Sequence, residues 1–301
     1  MCGGDFVTLR KYLQLARLPN VFTSPTNILA GYFILTPLSE ANFINLAILM
    51  TSSAFFYVAG VIFNDYFDME LDKKERPFRP LPSDAISKER ALQIAIGFMG
   101  SALILAFIVS WTSFTIAVFL SCMIFAYDYK LKHSRILNPI TIGGTRFLNV
   151  ILGASTAIQL PLVTGFSHLI FVAICVFVYV IVIAFFSSKE LSGMRSKSQI
   201  IALFLTNYAI VIAIGIAIVF DILKPSSLLI LVPFTVIISL IFRYSISGNA
   251  VRIQNTIKNL VISIIILDSI FVTGTTGLPI GLMTLLFLVP SIILSRKFYV
   301  T

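Results

Sequence analysis

Phe43-Ile44-Asn45-Leu46-Ala47-Ile48-Leu49-Met50-Thr51-Ser52-Ser53-Ala54-Phe55-Phe56-Tyr57-Val58-Ala59-Gly60-Val61-Ile62-Phe63 runs straight into Asn64-Asp65-Tyr66-Phe67-Asp68-Met69-Glu70-Leu71-Asp72. The first part carries no charge. A helix of ~20 residues rises about 30 Å, the thickness of a bilayer's hydrocarbon core. Apolar and polar residues do not alternate with period two, so the stretch reads as a membrane helix rather than a barrel strand.

Nine more apolar segments repeat that pattern, giving ten at 20–38, 43–63, 91–111, 113–127, 139–160, 166–186, 199–220, 225–242, 257–274 and 277–295. The fourth and eighth are short. Composition agrees: of 301 residues, 58% are hydrophobic and only 12% charged. A soluble domain carries about 25% charged residues. A water-soluble enzyme, a disordered chain and a disulfide-rich secreted domain are excluded. No internal linker divides the chain, so 1–301 reads as a single domain, an all-α polytopic membrane bundle.

The net charge of +9 does not point to nucleic acid, because the basic residues lie in short loops between apolar segments. With a cytoplasmic N-terminus and every segment crossing, 20 of the 22 Lys and Arg residues fall on the cytoplasmic side. That is the positive-inside distribution. Lys224 falls outside, and Arg146 lies within a segment. This topology puts both termini inside and the loops after segments two, four and six on one face, where they can meet. Residues 1–17 lack the apolar core of a cleavable signal. Cys122 and Cys175 lie in apolar segments and read as core packing.

Residues 64–90 hold seven of the 13 acidic residues. If the helix continues past Phe63, Asn64, Asp68 and Asp72 stand at i, i+4 and i+8 on one face. Two carboxylates and an amide oxygen suit Mg²⁺, which fills its other positions with water and substrate phosphate. Next comes Lys73-Lys74-Glu75-Arg76-Pro77-Phe78-Arg79-Pro80-Leu81-Pro82-Ser83. Arginine forks bind phosphate oxygens, and the prolines stiffen the segment. A solvated charged loop is the bland alternative. Carboxylates at a membrane boundary beside two Arg-Pro units favour a diphosphate site.

The run NDYFDMELDKKERPFRPLPSDAIS resembles the first signature of the UbiA superfamily of intramembrane prenyltransferases, N-D-x-x-D-x-x-x-D followed by R-P-x-R-P-L-P-S-G-x-I-S. Asn64, Asp68, Asp72, Arg76, Arg79, Pro80 and Ser83 fall on matching positions, and Asp84-Ala85 stands where the family has one glycine. The entry Leu15-Ala16-Arg17-Leu18-Pro19-Asn20 is similar to the start of the family's first helix. The resemblance turns Arg17 and Asn20 toward the cavity; a membrane-interface anchor is the other reading of Arg17. Tyr127 and Lys132 match a family tyrosine and lysine, the lysine near the diphosphate, although positive-inside charge also accounts for Lys132. Arg146 sits in a G-x-x-R-x-L-x-x-x-x-G stretch most similar to the UbiA-like EboC subgroup. An arginine there must face a cavity or a partner, such as Asp128.

After the sixth segment the family carries a second motif, D-x-x-D-x-x-x-D, but this chain has Ser187, Glu190 and Met194 on those positions, with Lys189 beside them. Two readings follow. Lys189 replaces part of a metal's charge on the diphosphate, with Glu190 the one remaining carboxylate ligand. Alternatively, the chain binds a prenyl-lipid phosphate without reacting it. Asp268, deep in the ninth segment, calls for a hydrogen-bonding partner on a neighbouring helix. His133 and His168 show no ligand spacing.

The resemblance implies nine to ten helices around a central cavity and Mg²⁺-dependent transfer of a prenyl group from a polyprenyl diphosphate to a lipophilic or aromatic acceptor in the membrane lipid. Asn64, Asp68 and Asp72 would hold the metal, and Arg76, Arg79 and Lys132 would hold the diphosphate. The alternative is a non-catalytic carrier. A solute transporter depending on Asp268 and Arg146 is a third, weaker fit to the sequence.

Overall fold

The computed structural model describes residues 2–158, 165–187, 197–246 and 250–296. All regular structure among them is helical. In chain order the helices are α1 (Cys2–Leu15), α2 (Leu18–Val21), α3 (Thr23–Leu35), α4 (Phe43–Phe67), α5 (Met69–Glu75), α6 (Lys88–Val109), α7 (Trp111–Tyr129) and α8 (Leu137–Ala154). They continue with α9 (Phe166–Ser187), α10 (Lys197–Val219), α11 (Leu228–Ser245), α12 (Ala250–Ile262), α13 (Ile264–Thr276), α14 (Leu278–Leu285) and α15 (Leu288–Ser295).

Eight described stretches are long and apolar enough to cross a membrane, the last two being α12–α13 together and α14–α15 together. The first and fifth apolar segments of the ten are helical, as α2–α3 and α8, but are not among those eight. α3 is short because Pro25, three residues in, lacks the N–H that would continue α2 through Phe22. α8 carries Asn138, Thr141, Thr145, Arg146 and Asn149, which lower its hydropathy. Pro290 breaks α14 from α15 in the same way as Pro25. The short fourth and eighth segments are whole helices, α7 and α11.

Polar caps set where the long helices begin. Asn42 Oδ1 accepts from the backbone N–H of Ile44 and Asn45 at 3.1 and 3.0 Å and starts α4. Ser87 caps α6, and Ser110 caps α7. Small residues then bring the helices together. Ala91, Ala95, Ala102 and Ala106 form the buried stripe of α6, and Ser52 Oγ of α4 donates to the Ala102 carbonyl at 2.8 Å. The opposite side of α6 presents Ile96, Ile104, Phe107 and Ile108 outward, as lipid requires. Cys122 is a correction of the same kind: it is exposed on α7 rather than packed in the core, since an apolar span has a lipid face as well as a buried one, while Cys175 is buried.

The α3–α8 crossing positions the site. A Cβ on Gly31 would strike the Val150 carbonyl, and one on Gly153 the Ile28 carbonyl. Glycine at both positions lets the backbones touch, which seats Arg146 and Asn149 of α8 against the first turns of α3.

Candidate active site

The acidic run keeps its helical register through a bend. α4 ends at Phe67 and α5 begins at Met69, yet Asp68 N donates to Asn64 O at 3.0 Å and Asp72 N to Asp68 O at 2.8 Å. Their side chains nevertheless part. Asn64 and Asp68 line a cavity of about 510 Å³ between the helices, whereas Asp72 turns away and binds Arg79, Oδ2 to Nη1 at 2.7 Å.

The loop after α5 is anchored to the bundle, although Pro77, Phe78, Ser83, Asp84 and Ala85 are exposed. Leu81 is 0% and Ile86 4% exposed, packed on Val58, Ile62, Ala91 and Ala95 of α4 and α6. That anchoring holds Arg76 and Arg79 at the cavity wall. Arg79 Nη1 also reaches Asp65 Oδ1 at 3.4 Å, and Asp65 Oδ1 binds Arg17 Nη2 at 2.6 Å. Two arginines and two carboxylates thus neutralise one another. Burial, and then the neighbouring Arg17, push the Arg79 guanidinium below its ordinary value against the pull of both carboxylates. Burial also works against the Arg17 charge, but Asp65 outweighs it and holds that guanidinium above its ordinary value. Arg17 adopts φ 44°, an uncommon left-handed conformation for a long side chain, and this turn between α1 and α2 carries it to Asp65.

From the next loop, Lys132 Nζ bonds Asp68 Oδ1 at 2.8 Å and donates to the Asn64 carbonyl at 3.4 Å. The loops after segments two and four therefore do meet. Asn64 Nδ2 donates to Asp128 Oδ1 at 3.3 Å. Neither Asn64 Oδ1 nor Asp68 Oδ2 has a partner among the described residues, and both residues line the cavity. One amide oxygen and one carboxylate oxygen are hard donors suited to Mg²⁺, so the donor set fits a metal shared with a phosphate ligand. Among the described residues no group of three or more His, Cys, Asp or Glu is placed to hold a metal ion by itself; the fit rests on Asn64 and Asp68 acting together.

The cavity walls also carry apolar side chains, Leu120, Ile124, Ile142, Val180, Ile183 and Ile264, from four helices. Tyr127, Asn20 and His133 also line it, as does Ser187, the first position of the departed second motif. Lys189, Glu190 and Met194 lie outside the described residues.

Arg146 lines the cavity deeper, and its expected partner is corrected. It does not pair with Asp128. Nη1 donates to the Thr23 carbonyl and Asn27 Oδ1 at 3.2 and 3.1 Å, Nη2 donates to Thr23 Oγ1 at 3.0 Å, and the guanidinium lies 5.4 Å from the Tyr57 ring centre. Asn27 Nδ2 and Thr26 Oγ1 in turn donate to Asp268 Oδ2 at 2.8 and 2.6 Å. Asp268 thus finds its partners on a neighbouring helix, as expected. Asp128, Asp65 and Tyr57 escaped the sequence reading as site residues. For the two aspartates the signal was a charge at the end of an apolar run; Tyr57 gave none.

Comparison with known proteins shows the family and the fold. Residues 25–246 match the UbiA prenyltransferase family. Digeranylgeranylglyceryl phosphate synthase of Methanococcoides burtonii is 33% identical over 152 residues, 46% of this chain and 53% of that protein. The enzyme of the same name from Thermococcus sibiricus is 36% identical over 95 residues, 32% of this chain and 34% of that protein. The alignment thus spans about half the length of the first relative and a third of the second. Among solved structures, a UbiA homologue from Aeropyrum pernix K1 superposes with TM-score 0.69 at 14% identity, covering 82% of this chain and 94% of that one. A UbiA homologue from Archaeoglobus fulgidus, solved with GPP and Mg²⁺, superposes with TM-score 0.58 at 16% identity, covering 95% of this chain and 99% of that one. With the matched region spanning most of the chain, the protein belongs to the UbiA prenyltransferase family.

Proposed function

We propose that this chain transfers a prenyl group from a polyprenyl diphosphate to a lipophilic acceptor within the membrane, with Mg²⁺ as cofactor. One observation carries the reading: Asn64, Asp68, Lys132 and Arg76 line the same cavity as apolar side chains such as Leu120, Ile124, Val180 and Ile183. That arrangement suits a ligand with a diphosphate head and a hydrocarbon tail. The volume of about 510 Å³ is that of a site for such a ligand. The basic loops around this end take it to the cytoplasmic side.

Asn64 and Asp68 would hold the metal, and a Mg²⁺ ion held by them would supply positive charge to the leaving diphosphate. Lys132 and Arg76 donate to the diphosphate oxygens, and Arg79, fixed between Asp65 and Asp72, adds positive charge behind them. The allylic carbon–oxygen bond breaks, the electron pair leaves with the diphosphate, and the acceptor attacks the resulting cation. Apolar walls exclude water that would quench it. The rings of Phe56, Tyr57 and Tyr127 line the same space and stabilise a cation through their faces.

The two archaeal relatives are named for a product with two geranylgeranyl groups on glyceryl phosphate. Geranylgeranyl diphosphate with a geranylgeranylglyceryl phosphate acceptor is therefore the first pair to test. Purified protein in nanodiscs, given labelled donor and a panel of lipid-phosphate and aromatic acceptors, is expected to yield a labelled prenylated lipid. Saturable donor binding with no product for any acceptor would replace this reading with the carrier one, which Ser187 at the cavity wall favours by offering a hydroxyl where the family has a carboxylate.

A further inference from the structure

Asp128 is buried at the cytoplasmic end of α7, 1% exposed, in a helix whose composition gives no reason for a carboxylate. Its Oδ1 accepts from Asn64 Nδ2 at 3.3 Å, and its Oδ2 has no partner among the described residues. It lines the same cavity as Asn64 and Asp68, whereas Asp65 and Asp72 do not. Of the four carboxylates clustered here, two are taken up by Arg17 and Arg79. Asp68 and Asp128 are the two that face the space a cation would enter.

We infer that Asp128 is a metal ligand of this site, completing with Asn64 and Asp68 a three-residue set that spans α4 and α7. The inference rests on the Mg²⁺-dependent reading above. Three considerations support it. A carboxylate in such a buried position is costly unless it meets a cation or donors, and one long hydrogen bond from an amide is weak compensation. Asn64 Nδ2 on Asp128 orients the amide so that Asn64 Oδ1 and Asp128 Oδ2 are both left to a cation, as a shared ligand pair requires. Charge also balances better. Asp68 with Lys132 alone is neutral, and Asp128 adds the negative charge that favours a divalent ion. The chain thereby supplies from α7 a carboxylate that Ser187 does not supply from α9.

The test uses Mn²⁺ as the probe, because its binding is read by electron paramagnetic resonance without turnover. Full-length protein in nanodiscs is titrated with Mn²⁺, alone and with inorganic pyrophosphate. Asp128→Asn is expected to weaken Mn²⁺ binding at least about tenfold, as Asp68→Asn does. Asp221→Asn, in a turn at φ 57° far from the cavity, should leave it unchanged. If Asp128→Asn does not fold, Asp128→Ser, which keeps an acceptor for Asn64, serves instead. Wild-type Mn²⁺ affinity in the Asp128 variants, with Asp68→Asn still impaired, would overturn the assignment and leave the proposed function standing. No Mn²⁺ binding by the wild type under either condition would overturn both.

Discussion

Asn64 and Asp68 at the end of α4 and Lys132 from the loop after α7 turn oxygens and an ammonium to the cavity, whereas Arg146 is bound by Thr23 and Asn27, and Asp268 by Thr26 and Asn27. Tyr57, over which Arg146 lies, is seven residues before Asn64, about two helical turns or ~10 Å deeper along α4. Both clusters place charge in an apolar bundle. They differ in what they leave over. The outer one keeps ligand oxygens without partners among the described residues. In the inner one the arginine's hydrogen bonds go to α3, and the carboxylate's single unpartnered oxygen, Oδ1, is buried away from the cavity. An intramembrane charge is thus a sign of function only when its remaining valence faces the ligand space.

Substitutions should separate the two clusters. The largest effect is expected for Asp68→Asn, which should slow diphosphate release by about 10²–10³-fold while leaving thermal unfolding near wild type. Lys132→Met comes next, with a loss of about 10²-fold, because one fixed donor to the leaving group disappears. Asp72→Asn tests the closed ion quartet. It should cost about 2 kcal/mol of stability, less than a lone buried pair, since Arg79 keeps Asp65. Thermal melts in detergent check it, and an unchanged melt with lost turnover would return Asp72 to the metal. Asp268→Leu leaves the Thr26 and Asn27 donors unmatched and should destabilise by about 1–3 kcal/mol, with donor affinity retained. The smallest kinetic effect belongs to Arg146→Gln, at most about fivefold in kcat/KM, or about 1 kcal/mol. A hundredfold loss there would erase the distinction between the clusters.

Much of this was legible beforehand, for reasons the same comparison makes clear. Helices whose apolar runs are unbroken, such as α4 and α9, follow from length alone. The stripe of Asn64, Asp68 and Asp72 follows from helical spacing, and Lys132 from its place in the matching loop. The breaks at Phe22 and before Pro290 needed the structure, because a proline inside an apolar run either kinks a helix or ends it. The ion quartet was hidden because Arg17 and Asp65 are 48 residues apart, and spacing says nothing across that gap. Asp72 shares a helical face with Asp68 yet turns to Arg79, a choice made by the loop that Leu81 and Ile86 anchor. Asp128 looked like a counter-charge for Arg146 because both lie in or near apolar helices. The glycine-mediated α3–α8 contact gives Arg146 to α3 instead and leaves Asp128 at the mouth.

Diphosphate release from geranylgeranyl diphosphate tests the central claim most directly, measured with Mg²⁺ and acceptor lipid for the wild type and Asp68→Asn side by side. The account predicts release that requires Mg²⁺ and acceptor and that falls at least about 10²-fold in the variant. Equal release from both proteins, or release indifferent to Mg²⁺, would contradict it.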